Sequence, residues 1–234
     1  MGLNKFIFDV DGTLTPSRQM MNQKFENWFE QFATHNAVYL VTGSDREKTL
    51  EQIGNTIYNL AVRVYNCSGN DVYEQDRCIR TNKWTLPDLA RTFLISCEYE
   101  SDFSIRTGNH IEERPGTVNF SVVGRNATPE QRAAYVDFEA QNGERRKIAD
   151  AFNTMFPDLE AKVGGETGID IYRKGADKSQ ILVDFDPPDD TLYFFGDRME
   201  PSGNDYPLAK ALDFKNCFQP SNWQETWKLL QDIG

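Results

Sequence analysis

The sequence predicts an α/β protein whose parallel-sheet core is split by an inserted α+β domain. Three observations carry this. Short apolar runs alternate with helical periodicity over residues 1–82, the rhythm breaks over residues 83–174, and it resumes over residues 175–234. Alternating strand and helix implies parallel strands with right-handed crossovers and helices on the sheet faces. The core is therefore assigned to residues 1–82 plus 175–234, and the insert to residues 83–174.

Phe6-Ile7-Phe8 is an apolar run that ends at Asp9. Met21, Phe25, Trp28, Phe29 and Phe32 then recur at helical spacing, which predicts an amphipathic helix. Val38-Tyr39-Leu40-Val41 reads as the second strand, and Ser44-Asp45-Arg46-Glu47 as a capping box opening the next helix, with Ser44 as the cap. Val62-Arg63-Val64-Tyr65 reads as a third strand. In the insert, Pro87 suits the first turn of a helix reaching about Cys97, and residues 119–123 alternate like a half-buried antiparallel strand. Thr128-Pro129-Glu130-Gln131 caps a helix, residues 145–156 continue helical, and Ile169-Asp170-Ile171-Tyr172 alternates again. The parallel rhythm returns with a helix over residues 178–183 and a continuous apolar strand, Thr191-Leu192-Tyr193-Phe194-Phe195. Ser221-Asn222-Trp223-Gln224 caps a terminal helix.

With 234 residues, 39% hydrophobic and 26% charged, the chain has ordinary globular composition and can bury a core without staples. Lys and Arg number 25 against 36 Asp and Glu, a net charge of −11. Such a surface repels nucleic-acid backbones and anionic lipid, which argues against both as partners. No apolar run approaches the ~20 residues of a membrane span, and the opening residues lack signal-peptide anatomy. Gly2 begins a weak myristoylation-like string, but Phe6 stands where Ser or Thr is wanted. Cys67, Cys78, Cys97 and Cys217 form no C-x-x-C pair, and there are only two histidines. Neither zinc nor disulfides are expected, and a reduced, cytoplasmic setting is.

The chemistry sits at two strand ends. Asp9-Val10-Asp11-Gly12-Thr13 directly follows the first strand, where open α/β sheets bind ligands. Two carboxylates at that spacing suit a divalent metal and a division between nucleophile and acid/base; the competing reading is an ordinary Asp-Gly turn. Gly196-Asp197 through Asp205 follows the late apolar strand, and together the clusters invite Mg²⁺. Alone, the second cluster also reads as a polar turn in which Asp205 caps the next helix. Lys178 competes with a solvated helix-face lysine. Between residues 104 and 134 stand Arg106, Arg114, Arg125 and Arg132 with no lysine. The planar guanidinium fork matches phosphate oxygens, although scattered surface arginines in weak ion pairs are the alternative.

These residues carry a resemblance. D-x-D-G-T, a hydroxyl after strand two, a late lysine and G-D-(x)₇-D resemble the haloacid dehalogenase superfamily of phosphotransferases. Phe8-Asp9-Val10-Asp11-Gly12-Thr13-Leu14-Thr15 with Arg18, Gly43-Ser44-Asp45, Asn119 through Arg125, Gly175-Ala176-Asp177-Lys178 and Phe194 through Asp205 look more closely like the eukaryotic-type phosphomannomutases. Residues 71–105 match only loosely. The resemblance implies a haloacid-dehalogenase-like Rossmannoid core with a substrate-specificity cap. It implies Asp9 as the nucleophile that becomes an aspartyl-phosphate and Asp11 as the acid/base. Asp9, the Asp11 backbone carbonyl and Asp197 would hold Mg²⁺, with Asp205 as a further or neighbouring ligand, and Lys178 would neutralise the phosphorylated carboxylate. The superfamily hydroxyl falls on Thr42, while Ser44 aligns with the mutases' serine; both remain candidates. Arg114, Arg125 and Arg132 match cap residues gripping the remote phosphate, and Arg18 and Asp170 match groups contacting the sugar phosphate.

The chain departs from that pattern at three places. Gly168 stands where the family has a phosphate-contacting Ser, Glu166 where Gln is usual, and Tyr206-Pro207 where His-Glu follows the second Asn-Asp. The implied activity is interconversion of mannose 6-phosphate and mannose 1-phosphate, with a hexose 1,6-bisphosphate as intermediate and activator. The alternative is a Mg²⁺-dependent sugar-phosphate phosphatase of the same superfamily; a non-catalytic sugar-phosphate binder is a remoter third. A homodimer through the cap is also implied.

Overall fold

The computed structural model describes residues 4–186 and 190–233. Residues 1–3, including the Gly2 string, lie outside the described residues, as do 187–189 and 234. In chain order the elements are β1 (Asn4–Phe8), α1 (Gln23–His35), β2 (Ala37–Val41), α2 (Arg46–Leu60), β3 (Arg63–Asn66), β4 (Asp71–Glu74) and β5 (Arg77–Thr81). Then come α3 (Asp88–Glu100), β6 (Ile111–Arg114), β7 (Thr117–Phe120), α4 (Pro129–Asn142), α5 (Glu144–Met155), β8 (Leu159–Gly164) and β9 (Gly168–Arg173). The chain closes with β10 (Thr191–Phe195), α6 (Tyr206–Ala211), β11 (Cys217–Phe218) and α7 (Trp223–Ile233). It divides into two compact units, Met1–Asn82 with Gly175–Gly234, and Lys83–Lys174.

The first unit is built on a sheet of order β11-β10-β1-β2-β3-β4-β5. Pairing is parallel from β11 to β3, and β4 and β5 add an antiparallel edge. Strand β1 lies between β10 and β2, so the chain leaves it toward one side of the sheet and returns on the other. In open α/β sheets ligands bind beyond the carboxyl ends of the strands at such a reversal, here β1 and β10. Phe6, Ile7 and Phe8 are all buried because both faces of β1 are covered, which explains the unbroken apolar run. On one face Phe8, Phe25, Phe29 and Val38 pack together, and Phe25 stacks on Trp223 and Trp227 of α7 at 5.8 and 5.4 Å. On the other, Ile7, Val41, Ile181, Phe194 and Leu208 form a second cluster.

Several local expectations shift. Met21 is buried but precedes α1, whose cap is Asn22. Asp45, not Ser44, caps α2 by accepting from Lys48 N at 2.9 Å. Lys178–Asp184 is a 3₁₀ segment rather than an α-helix. With three residues per turn, Lys178 and Ile181 fall on the same side, and both are buried. At α7, Asn222 accepts from Glu225 N at 3.0 Å while the Glu225 carboxylate accepts from Ser221 N, so the cap lies one residue later than predicted. Pro87 takes the cap position of α3, which runs on to Glu100.

The second unit is an antiparallel sheet of order β6-β7-β9-β8 with α3, α4 and α5. Val118, Phe120, Ile169 and Ile171 share a core with Leu94, Tyr135 and Phe152. The alternate positions are polar, and one row across the strands reads Glu112, Asn119, Asp170, Lys162. β7 ends at Phe120 and is buried throughout, not half-buried: Asn119 and Thr117 are covered as well. The Thr128–Gln131 capping box forms as predicted, with bonds of 3.3 and 2.9 Å. Among the described residues no helix is long and apolar enough to cross a membrane.

Candidate active site

The carboxyl ends of β1 and β10 bring the two acidic clusters together. Asp9 N donates to Phe195 O at 2.8 Å, tying the strand ends to each other. Gly12 has φ +80°, and a Cβ there would stand 2.4 Å from Asp197 Oδ2. At Gly196 a Cβ would stand 2.7 Å from Asp205 Cγ. Both glycines are needed because carboxylates approach the backbone so closely. Oxygens of Asp9, Asp197 and Asp205 all lie within 4.8 Å of one another. Lys178 Nζ, on the 3₁₀ segment, donates to Asp9 Oδ1 at 2.5 Å and Asp205 Oδ1 at 2.6 Å. Asp205 does not cap α6 with its side chain; its other oxygen accepts from Arg198 N at 3.0 Å.

Burial raises the Asp9 pKa well above the usual carboxylate range; Lys178 opposes this, and Asp205 and Asp197 add to it. Asp197 is pushed up to about 7, first by burial and then by Asp205. Burial works against the Lys178 ammonium, but Asp205 and Asp9 outweigh it and hold its pKa above that of an ordinary lysine. Three carboxylates face one ammonium, so ionising all of them would leave the cluster at −2. An all-oxygen donor set with that surplus fits a hard divalent cation.

The Asp11 side chain turns elsewhere. Its Oδ1 accepts from Arg18 N at 2.7 Å and Gln52 Nε2 at 2.9 Å, and its Oδ2 from Ser44 Oγ at 3.4 Å. Because Asp45 takes over the cap, the Ser44 hydroxyl is free to point at Asp11. Thr42 is buried and its Oγ1 accepts from Ser44 N at 3.1 Å, so it shapes the turn that presents Ser44. Arg18 follows on the same loop in a left-handed conformation, φ 58°.

In the second unit the arginines meet carboxylates. Arg114 Nη2 and Arg125 Nε lie 2.9 and 2.5 Å from the same oxygen of Glu112, and Arg132 Nη2 lies 2.9 Å from Glu166 Oε2. Burial alone would raise the Glu112 pKa, but Arg114 and Arg125 hold it below the usual range. Asp170 accepts from Asn119 Nδ2 at 2.6 Å. Arg125 Nη1, Ser121 Oγ and Thr167 Oγ1 are buried with no hydrogen-bond partner. Arg106 differs from its neighbours: it donates to the carbonyls of Glu98, Ser101 and Ile105 at 2.6, 3.1 and 3.2 Å, and also to that of Phe103. At Gly168 a Cβ would stand 2.6 Å from Asn119 Nδ2, so the Asn119 amide fills the space a serine would need.

A profile of the eukaryotic phosphomannomutase family matches residues 25–222. The chain belongs to that family. A probable phosphomannomutase of Caenorhabditis elegans is 30% identical over 214 residues, covering 86% of this chain and 84% of its own length. The phosphomannomutase of Encephalitozoon cuniculi is 31% identical over 217 residues, covering 89% and 85%. A haloacid dehalogenase-like hydrolase from Bacteroides thetaiotaomicron superposes with a TM-score of 0.62 at 12% identity, covering 99% of this chain and 100% of that one, which shows the shared fold. As a member of the phosphomannomutase family the chain is an enzyme of the haloacid dehalogenase phosphotransferase type.

Four residues of this phosphomannomutase-family chain escaped the sequence reading. Gln52 is a buried amide on the inner face of α2, beside Ile53, and a polar residue at a core-facing helical position was the available signal. Glu112 is an acid within the arginine-rich stretch, and Asn119 is a polar residue on an inner strand. Arg145 Nη1 donates to Gly165 O at 3.1 Å and Gly168 O at 3.4 Å, holding the turn that carries Glu166; nothing in its helical context announces that.

Proposed function

We propose that the protein is a phosphomannomutase acting on mannose 1- and 6-phosphates through an aspartyl-phosphate at Asp9 and a hexose 1,6-bisphosphate. The observation that carries this reading is the buried Lys178 ammonium bound to both Asp9 and Asp205 at the strand reversal. Lys178 holds Asp9 Oδ1, leaving Oδ2, which lies 3.4 Å from Thr13 Oγ1, to form the new bond to phosphorus. As that bond forms, the bond from phosphorus to the sugar oxygen breaks, and Asp11 gives its proton to the departing oxygen. In the reverse transfer Asp11 takes a proton from the attacking hydroxyl. Arg18 N, Gln52 and Ser44 fix the Asp11 carboxylate for both tasks. Lys178 offsets the repulsion between a carboxylate and an incoming phosphate dianion. Asp9, Asp197, Asp205 and the Asp11 backbone carbonyl would hold Mg²⁺, which supplies charge neutralisation of the transferring phosphoryl group when bound.

In this reading Arg114, Arg125 and Arg132 take the phosphate that is not reacting, and Arg18 and Asp170 contact the sugar phosphate. The buried, unpartnered Arg125 Nη1 and Ser121 Oγ support a ligand there, since such atoms are rarely left unmatched. A cytosolic setting and a dimer through the cap accompany it. One observation favours the phosphatase alternative: Glu166 already occupies Arg132, which weakens a two-phosphate clamp. The deciding experiment is ³¹P NMR with mannose 1-phosphate, Mg²⁺ and catalytic hexose 1,6-bisphosphate. The 6-phosphate signal is expected; inorganic phosphate as the sole product would overturn the mutase in favour of the phosphatase.

A further inference from the structure

The cap arginines are matched charge for charge by carboxylates of their own unit: Arg114, Arg125 and Arg132 stand with Glu112, Glu166 and Asp170. The carboxylates are not equivalent. Glu112 is shared by two guanidiniums, lies on β6, and is 30% accessible. Glu166 meets one guanidinium, sits on the β8–β9 turn, and is 55% accessible, whereas the Arg132 side chain it meets is 13% accessible. The pair therefore joins a fixed, mostly buried cation to an anion that reaches water. A half-exposed ion pair of this kind takes little energy to open. Arg145 anchors the turn through the carbonyls of Gly165 and Gly168, so the Glu166 side chain can swing away without moving the strand ends.

We propose that Glu166 is a built-in competitor for Arg132, occupying the guanidinium fork in the free protein and giving way to a phosphate. It is a specificity-determining residue: it sets how tightly the non-reacting phosphate is held. This deepens the proposed function and rests on the arginines being a phosphate clamp. With Glu166 in place an arriving dianion meets a cluster of no net charge; with a neutral side chain there it meets one of net charge +1.

The test replaces one atom. Glu166→Gln keeps an oxygen acceptor for Arg132 and removes only the charge. Titration calorimetry of the full chain, with mannose 6-phosphate and separately with inorganic phosphate, is performed in an Asp9→Asn background that stops turnover. Glu166→Gln is expected to tighten binding of mannose 6-phosphate roughly 5–10-fold. The gain is expected to vanish when Arg132→Ala is added. In the catalytically intact enzyme, KM for the sugar phosphate is expected to fall while kcat stays level or drops. Unchanged or weaker binding by Glu166→Gln would overturn the proposal, showing that the carboxylate orients Arg132 instead of competing for it. A gain that survives Arg132→Ala would overturn it too, since long-range charge alone would be the cause. Because binding is read without turnover, the result stands whether the NMR experiment reports isomerised sugar or released phosphate.

Discussion

Two charge clusters serve this chain, and they are built from opposite ingredients. Beyond β1 and β10, three carboxylates crowd a single ammonium, and Asp9, Asp205 and Lys178 are almost wholly buried. In the second unit, three guanidiniums meet carboxylates and the assembly reaches water at Glu166 and Glu112. The first has surplus negative charge away from solvent, which raises carboxyl pKa values and calls for a cation. The second is balanced within itself, so an external anion must compete with internal ones. A buried, unbalanced cluster suits chemistry on a bound metal; a balanced, half-exposed one suits recognition that has to be reversible.

The comparison can be broken at its strongest point first. Asp9→Asn removes the only oxygen expected to bond to phosphorus, so phosphoryl transfer is expected to fall more than ~10⁴-fold in a steady-state assay, with the fold intact. Asp11→Asn is expected to lose less, ~10²–10⁴-fold, because it removes proton transfer alone. Near-normal turnover by Asp9→Asn would break the covalent reading of the core cluster.

Arg125→Ala probes the cap with a smaller expected effect. It removes a charge-assisted contact worth ~1.5–3 kcal/mol, or roughly 10–150-fold in binding. The ratio of isomerised sugar phosphate to released phosphate is expected to fall with it; an unchanged ratio in a folded variant would count against the clamp.

The smallest effect concerns pH. Asp197 has its pKa raised to about 7 from the ordinary aspartate value of 3.8. The folded state therefore retains a proton that the unfolded chain has released, and this contribution to stability is present below 3.8 and lost as pH rises through about 7. A cation binds the ionised form. The rise in melting temperature produced by Mg²⁺ is thus expected to be greater at pH 8 than at pH 6; equal shifts would disconnect Asp197 from the metal site.

Much of the core was legible because its signals are local. The apolar runs at Phe6-Ile7-Phe8 and Thr191 through Phe195 reflect strands covered on both faces, and the aspartates directly after them mark strand ends. What stayed hidden depends on three-dimensional neighbours. Ser44 and Asp45 can both cap a helix, and only the turn geometry assigns the cap to Asp45 and sends Ser44 to Asp11. The 3₁₀ form of Lys178–Asp184 puts Lys178 and Ile181 on one buried side, and no pattern within seven residues distinguishes it from an α-helix. Gly168 reads in sequence as a lost hydroxyl, yet the Asn119 amide, distant in the chain, occupies that space. Arg114, Arg125 and Arg132 were visible by type, but their pairing with Glu112 and Glu166 arises from the sheet and its turns.

The pairing of β1 with β10 has a consequence for how the protein is made. These neighbours in the middle of the sheet are separated by nearly the whole chain, with the complete second unit between them. On the ribosome β1 emerges before β10, and its β10-facing edge stays open until the whole second unit has been synthesised. Pairing over such a separation is slow, and an open apolar edge is prone to join another chain. Until Lys178 and β10 arrive, Asp9 lacks the partners that bury it, so a nascent chain cannot hold the assembled acidic cluster before the segment from Lys178 to Asp205 is out.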